Sequence, residues 1–332
     1  MTTKEHVLSL LENKRGQNIS GAHIASQLNM SRNAVWKAVK ELKKDGYKIK
    51  AVTNKGYCLC EDNDILSAQG ILPFLSHKLQ EQVADKIYVH ASLESTNKTA
   101  KEMAISGAEH GTIVIADHQT AGKGRYGRTF HSPPSHGIYM SIILHPSQLC
   151  IDTPGLVTHF AAVSVCEAIE AISEKKPKIK WVNDIFLDDK KICGILTEAV
   201  TDFESGNMQW IVVGIGVNFS TPAEDFPEEL RQIAGAIFDS RELPTTRNCL
   251  IAEIVGRMLE HKSQYKEEGI LDKYKERLVM LGKNVLVTGA GQPYKAVAMG
   301  IDNMGCLTVK KDTGEVLALS TGEINVILST TS

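Results

Sequence analysis

The 332-residue chain lacks an uninterrupted apolar run long enough to cross a bilayer. Its longest apolar stretch, LVTHFAAVSVCEAIEAI (156–172), is broken by His159, Glu167 and Glu170 and reads as a buried helix. The opening MTTKEHVLSL has no long apolar segment, so no secretory signal is expected. Seven cysteines, an odd number without regular spacing, argue against a disulfide framework and fit a reducing cytoplasm. Cys58 and Cys60 form C-x-C, but no second Cys or His pair is placed to complete a zinc site. These shortages point to a cytoplasmic protein with no membrane partner.

Charge is plentiful and unevenly placed. The formal net charge is −2, yet residues 1–60 carry eleven Lys/Arg against four Asp/Glu and the rest of the chain is acidic. A basic head on an acidic body suggests a head that meets an anion, although a solvated charged surface would have the same composition.

Within the head, Val7, Leu8, Leu10 and Leu11 form one helical stripe over 3–13. Ser20 can cap a short helix through Ile24, Ala25 and Leu28, and Asn29-Met30 is a brief turn. Ser31 then caps a helix that turns Ala34, Val35, Ala38, Val39 and Leu42 inward and ends at Gly46. Two helices joined by a tight turn make a helix-turn-helix. The outward face of the second carries Ser31, Arg32, Asn33, Trp36, Lys37 and Lys40. In this motif the early positions approach base edges and later lysines meet phosphates. "YKIKAVTNKGYCL" alternates around Asn54-Lys55-Gly56, a hairpin signal, so the expected head is a winged helix that binds DNA. The alternative is a helical module that packs on a protein. Acidic and polar residues 61–64 suit a linker, with a boundary near 63.

Further on, "ADHQTAGKGRYGRTFHS" (116–132) spaces Gly122, Gly124 and Gly127 as G-x-G-x-x-G. A dinucleotide loop needs a helix directly after the glycines and an acidic residue about twenty positions on. Pro133 and Pro134 forbid the helix, and no Asp or Glu follows until Asp152. No G-K-[ST] occurs, so this is not a P-loop either. What is left is a flexible loop between strands expected at 112–116 and 138–144. It carries Lys123, Arg125 and Arg128, and suits an anion held by backbone N–H groups and cationic side chains. A strand is expected at 179–182, a turn or cap at Asn183-Asp184, and strands at 185–187 and 191–199. The run at 210–220 is apolar around Gly214 and Gly216. Together these segments offer an anion cradle, a strand-borne Lys191 and an Asn/Asp pair able to meet a metal or a hydroxyl.

S-T-N (95–97), Q-T-A-G-K-G-R-Y-G-R (119–128), K-W-V-N-D (180–184), K-x-x-G-I-L-x-E (191–198) and G-I-G-V-N (214–218) occur in that order. The combination resembles the biotin–protein ligases. With the basic head, it resembles the bifunctional bacterial kind that joins ligase and biotin-operon repressor in one chain. The resemblance covers essentially the whole chain. It implies formation of biotinyl-5′-AMP from biotin and ATP with Mg²⁺, then transfer to a lysine of an acceptor such as the biotin carboxyl carrier protein of acetyl-CoA carboxylase. It also implies a homodimer favoured by biotinyl-AMP, which acts as corepressor on operator DNA.

By residue, the resemblance assigns Arg125, Lys191 and Asp184 to catalysis. Ser95, Thr96, Asn97, Gln119, Lys123, Gly124, Arg125, Lys191, Gly194, Gly214 and Gly216 go to biotin. Arg125, Arg128, Asn183 and Asn218 go to ATP, and Asn183 with Asp184 to Mg²⁺. The usual K-W-P-N-D motif has Val182 in place of proline here. Phe226 and Phe238 are weak candidates for an adenine contact in 220–240. His118, His131 and His136 lack a carboxylate at a telling spacing and are given no catalytic role, and Trp181 reads as core. A ligase for lipoate or octanoate shares the fold and is one alternative. A ligand-sensing repressor without catalysis is another.

The tail reads as an amphipathic helix over 245–269 with Leu250, Ile251, Ile254, Val255, Met258 and Leu259 inward, then a helical piece to Leu281. Four or five short antiparallel strands follow, suggesting a small barrel, which the resemblance makes SH3-like. The expected organisation is α+β. It has a winged helix-turn-helix (1–63), a mixed-sheet catalytic domain of the biotin/lipoate ligase type (64–281) and the SH3-like domain (282–332).

Overall fold

The computed structural model describes residues 1–149, 155–201, 208–239, 243–260, 267–289 and 292–326. In the head, α1 (Thr3–Asn13), α2 (Gly21–Gln27) and α3 (Arg32–Lys44) are followed by the strands β1 (Ile49–Val52) and β2 (Gly56–Leu59). The expected caps are in place. Ser20 Oγ accepts from His23 N and Ser31 Oγ from Ala34 N, both at 3.1 Å. Each satisfies a backbone donor that a helix N-terminus leaves unpaired. Val7, Leu11, Ile24, Val35, Val39, Leu42 and Leu59 close a core belonging to the head alone. The β1–β2 hairpin is antiparallel, with Ile49 opposite Leu59.

The stretch expected as a plain linker is tied on both sides. Asn63 is fully buried, and its Oδ1 accepts from Lys48 N at 3.0 Å. Asp64 is bound by Arg247 of the body, with Nε 2.7 Å from Asp64 Oδ2. Asn63 and Asp64 therefore tie the stretch to the head and to the body, while Glu61 and Asp62 stay exposed.

After α4 (Ala68–Ile71) and α5 (His77–Val83) the body begins with β3 (Ile87–Leu93), α6 (Thr96–Ile105), β4 (Thr112–Gln119), β5 (Gly137–Leu144) and α7 (Leu156–Ile172). It continues through β6 (Lys178–Lys180), β7 (Asp184–Leu187), β8 (Lys190–Thr201), β9 (Met208–Asn218), α8 (Arg247–Leu259) and α9 (Glu267–Arg277). Seven strands form one sheet in the order β3-β4-β5-β9-β8-β7-β6. Only β3 and β4 are parallel; every other neighbour is antiparallel. The apolar segment 156–172 is the buried helix expected, packed with α8 and α9 over one face. On the other face, Ala100 and Ala104 of α6 pack on Val114, Ile143 and Val212.

Two expectations change. The strand at 179–182 stops at Lys180, and residues 181–183 form a turn with a cis Trp181–Val182 peptide. The long tail helix ends as α8 at Leu259; positions 261–266, placed in that helix from the sequence, lie outside the described residues. The C-terminal strands β10 (Asn284–Thr288), β11 (Tyr294–Ile301), β12 (Leu307–Lys311), β13 (Val316–Leu319) and β14 (Glu323–Val326) pair antiparallel in the order β13-β12-β11-β10-β14. Among the described residues this is an open sheet with β13 and β14 as edges; the short antiparallel strands expected for a small barrel are present, and its closure is not seen. Val285, Ala296, Leu307, Val309 and Ile324 belong to the same apolar cluster as the body, so this sheet shares the body's core.

Candidate functional site

One cleft of about 270 Å³ gathers the motifs. Its walls come from the start of α6, the glycine loop between β4 and β5, the 181–184 turn, the middle of β8 and β9, residues 226–234 and the first residues of β14. Every residue assigned above to biotin, ATP or Mg²⁺ lines it. Segments distant in sequence meet here because β8 and β9 lie side by side and the neighbouring loops fold over the same strands.

One side is a neutral hydrogen-bond network. Ser95 precedes α6 and is buried, with no capping bond from its side chain. Gln119 Oε1 accepts from Thr96 N at 2.8 Å, and Gln119 Nε2 donates to Ser132 Oγ at 3.0 Å. Ser141 Oγ lies 2.8 Å from Thr96 Oγ1 and 2.7 Å from Asn97 Oδ1. Asn97 Nδ2 donates to Leu196 O and, at 2.8 Å, to Glu198 Oε2, so its amide braces α6 against β8. Burial raises the Glu198 carboxyl, but hydrogen bonds from Lys101 and Asn97 outweigh it and hold the group below the usual carboxylate range.

The glycines of β9 are there because neighbouring side chains need the space. A Cβ at Gly214 would stand 2.1 Å from Asn97 Oδ1, and one at Gly216 would stand 2.7 Å from the Phe130 ring. The space over these two glycines, which the resemblance assigns to biotin, is taken in part by Asn97 and Phe130. Gly194 sits beneath the end of Lys191, whose Nζ would lie 3.4 Å from a Cβ there.

Charge gathers on the other side. Lys191 Nζ is 2.7 Å from Asp184 Oδ1. Arg125 Nη1 donates to Asn183 Oδ1 at 3.2 Å, and Asn183 Nδ2 donates to Ile195 O at 2.8 Å. Arg128 is largely exposed and pairs with Glu323, its two terminal nitrogens 2.8 and 2.9 Å from the two carboxylate oxygens. Lys123 and Gly124 lie in the loop, which folds back on itself through a bridge between Lys123 and Thr129. Asn218 Nδ2 donates to Gly235 O at 2.9 Å and so ties the 230s segment to the sheet. The same segment runs along β8, where Lys191 N donates to Ile233 O.

Several lining residues carried no assignment from the sequence. Lys180 stands in the K-W-V-N-D motif; burial lowers its ammonium below the usual lysine value, against the opposing pull of Asp184. Its Nζ donates to Asn325 Oδ1 at 3.0 Å. Phe130 and Tyr126 follow the glycines, and Gly322, Glu323 and Ile324 come from the far end of the chain. The motif was the available signal for Lys180; nothing local marks the C-terminal contributors. Phe226 lines the cleft, whereas Phe238 packs on Phe219 in the core, with ring centroids 5.1 Å apart. His131 lies at the wall with Nε2 2.9 Å from Asp225 O. His118 meets Ser92, and His136 meets Asp225.

Among the described residues no three His, Cys, Asp or Glu side chains are grouped to hold a metal. Two carboxylates line the cleft's charged half, Asp184 and Glu323, and Glu323 is taken up by Arg128. That donor set fits Mg²⁺, which is commonly held by one or two carboxylates plus substrate phosphates. No described helix is long and apolar enough to cross a membrane.

The second candidate surface is the outer face of α3. Ser31, Arg32, Asn33, Trp36, Lys37 and Lys40 are all exposed, Trp36 at 51%. Lys40 Nζ sits 5.3 Å from the centre of the Trp36 ring.

A basic helix-turn-helix joined to a mixed sheet whose cleft pairs a cationic glycine loop with a strand lysine defines a class: a nucleic-acid-binding type of head on a body with an anion-binding cleft. Residues 89–218 match the biotin/lipoate A/B protein ligase family, and residues 3–58 match a helix-turn-helix domain. The bifunctional ligase/repressor BirA of Bacillus subtilis (strain 168) is 34% identical over 316 residues, 94% of this chain and 95% of that protein. That of Escherichia coli (strain K12) is 27% identical, covering 96% of each. The biotin protein ligase from Aquifex aeolicus, solved in complex with biotin and ATP, is 25% identical with a TM-score of 0.62, covering 73% of this chain and 98% of that one. The chain belongs to the bifunctional ligase/repressor family of biotin protein ligases.

Proposed function

We propose that this chain is a cytoplasmic ATP-dependent biotin–protein ligase that also represses transcription in response to biotin. In the first step a biotin carboxylate oxygen attacks the α-phosphorus of ATP. The bond to the β-phosphate oxygen breaks, giving biotinyl-5′-AMP and pyrophosphate. In the second step the neutral ε-amine of an acceptor lysine attacks the acyl carbon, AMP leaves with the electron pair of the cleaved acyl–oxygen bond, and the nitrogen's surplus proton passes to solvent.

The observation that carries this reading is the meeting of Arg125, Lys180 and Lys191 with Asn183 and Asp184 in a cleft whose opposite side is a neutral hydrogen-bond network. Two anions must approach each other, and preorganised cations lower the cost of doing so. Lys191 would stabilise charge at the forming mixed anhydride, and Arg125 and Arg128 would hold the phosphate. Ser95, Thr96, Asn97 and Gln119 match the polar ureido ring or carboxylate side of biotin. Lys123 and Gly124 would close over it, with Gly194, Gly214 and Gly216 beneath. Asn218 would support the nucleotide side. Asp184 with Asn183 would hold Mg²⁺, which neutralises phosphate charge when bound.

The proposed units are a winged helix over 1–63, the catalytic domain over 64–281 and an SH3-like unit over 282–332. The acceptor is a biotin carboxyl carrier domain. Bound biotinyl-AMP favours a homodimer whose heads meet operator DNA as corepressor complex. The test is incubation with biotin, ATP, Mg²⁺ and a biotin carboxyl carrier domain, read by mass. A single added biotinyl group on the acceptor lysine is expected; an unmodified acceptor contradicts the reading.

A further inference from the structure

Tyr126 combines three features. Its φ is 55°, the left-handed region that a side chain with a Cβ adopts at a cost. Its side chain is more than half exposed, so burial does not hold it there. Its hydroxyl makes three polar contacts: Thr321 Oγ1 at 2.8 Å, Gly322 N at 3.1 Å and Arg125 Nη2 at 3.1 Å. A phenol has one proton and two acceptor positions. Gly322 N–H and the Arg125 guanidinium can only donate, so the phenol donates to Thr321 and its hydrogen-bonding capacity is filled. The ring lies under Arg125, 4.9 Å from the guanidinium carbon, and Arg125 also donates to Thr321 Oγ1 at 3.2 Å.

These contacts join two walls of the cleft that are 195 residues apart in sequence. One wall is the glycine loop; the other is the turn leading into β14, whose residues Gly322 to Asn325 line the same cleft. The Arg128–Glu323 pair is a second tie between the same two walls, also at the surface.

We propose that Tyr126 is a positioning residue that locks the glycine loop to the C-terminal sheet, and that the lock retains the acyl-adenylate until an acceptor arrives. This rests on the ligase reading above. It assigns the C-terminal sheet a part in holding a reactive intermediate that neither wall could hold alone.

The test uses the full chain loaded with biotin, ATP and Mg²⁺. The release rate of biotinyl-AMP is measured for wild type, Tyr126→Phe, Thr321→Val and the double variant, with biotin-dependent pyrophosphate exchange run in parallel. Tyr126→Phe keeps the ring under Arg125 and removes only the hydroxyl. Release about tenfold faster is expected for each single variant, as fits the loss of one or two hydrogen bonds. The double variant should be no faster than either single one, because both break the same lock. The exchange kcat and the KM for biotin should change less than about twofold, a split that general loosening of the fold would not give. Unchanged release in Tyr126→Phe, or effects that multiply in the double variant, would overturn the proposal. Absence of exchange in the wild type would instead overturn the ligase reading, and this inference with it.

Discussion

Lys191 on β8 and Asp184 at the start of β7 form an ion pair at 2.7 Å within the cleft, each about one-third to one-quarter exposed. The two strands are neighbours, with Asp184 opposite Gly194, so sheet register brings an ammonium and a carboxylate together beside the glycine that leaves room for the lysine. If the ammonium stabilises charge that develops during adenylation, Lys191→Met should lower the exchange kcat by roughly 10²–10³, the usual loss on removing one preorganised electrostatic donor. Steady-state pyrophosphate exchange checks this. A loss below tenfold would confine the lysine to a structural role.

Arg247 is 4% exposed, and its guanidinium reaches Asp64 Oδ2 and Asp117 Oδ1, both at 2.7 Å, together with Asp64 O and Gly137 O. One side chain thus fastens the segment below the head to β4, β5 and α8. Arg247→Met should destabilise the body by about 3 kcal/mol, since it strands two partly buried carboxylates. Urea unfolding measures this, and a loss under about 1 kcal/mol would count against the clamp.

Gly214 tests the packing beneath the cleft. A methyl group there would collide with Asn97 Oδ1 at 2.1 Å, and Asn97 is held in place by Glu198 and Leu196. Gly214→Ala should cost about 1–3 kcal/mol in stability. It should also raise the KM for biotin by displacing the start of α6. Thermal unfolding and exchange kinetics read the two effects separately.

Buried His159 has Nε2 3.0 Å from Gly305 O, and burial lowers its pKa from the ordinary 6.5 despite two facing carbonyls. The unfolded chain therefore takes up a proton below about pH 6.5 that the folded chain resists. Stability should fall as pH drops from 6.5 through the lower folded value. His159→Gln should remove that part of the decline, as seen by comparing Tm against pH for the two proteins.

On the outer face of α3, Lys37→Ala and Lys40→Ala should each weaken binding to any duplex and reduce the slope of log K against log salt by about one. Trp36→Ala should instead act on sequence preference, because an exposed indole can meet thymine methyl groups. Fluorescence anisotropy over a salt series on specific and random duplexes separates the two.

The head was legible because capping serines, a 3.6-residue apolar period and a basic outer face are local signals. So were the glycine loop and its failure as a dinucleotide site, which turn on Pro133 and Pro134. The motifs named most of the cleft's lining because each lies within ten residues of chain. What local pattern does not carry is contact across the fold. Tyr126 on Thr321, Lys180 on Asn325 and Arg247 on Asp64 depend on how the C-terminal sheet and the segment after the head settle on the body. Trp181 and Val182 have β-forming side chains that extend the strand pattern of Ile179, but tertiary context overrides that propensity and they join Asn183 in the turn. Asn97, assigned to a ligand by its motif, spends both amide donors on bracing α6.

The measurement that bears most directly on the central claim is biotin-dependent exchange of pyrophosphate into ATP by the purified chain with Mg²⁺, with lipoate run in parallel. Exchange with biotin and none with lipoate is the predicted result. Exchange with lipoate in place of biotin, or with neither acid while biotin still binds, would contradict it.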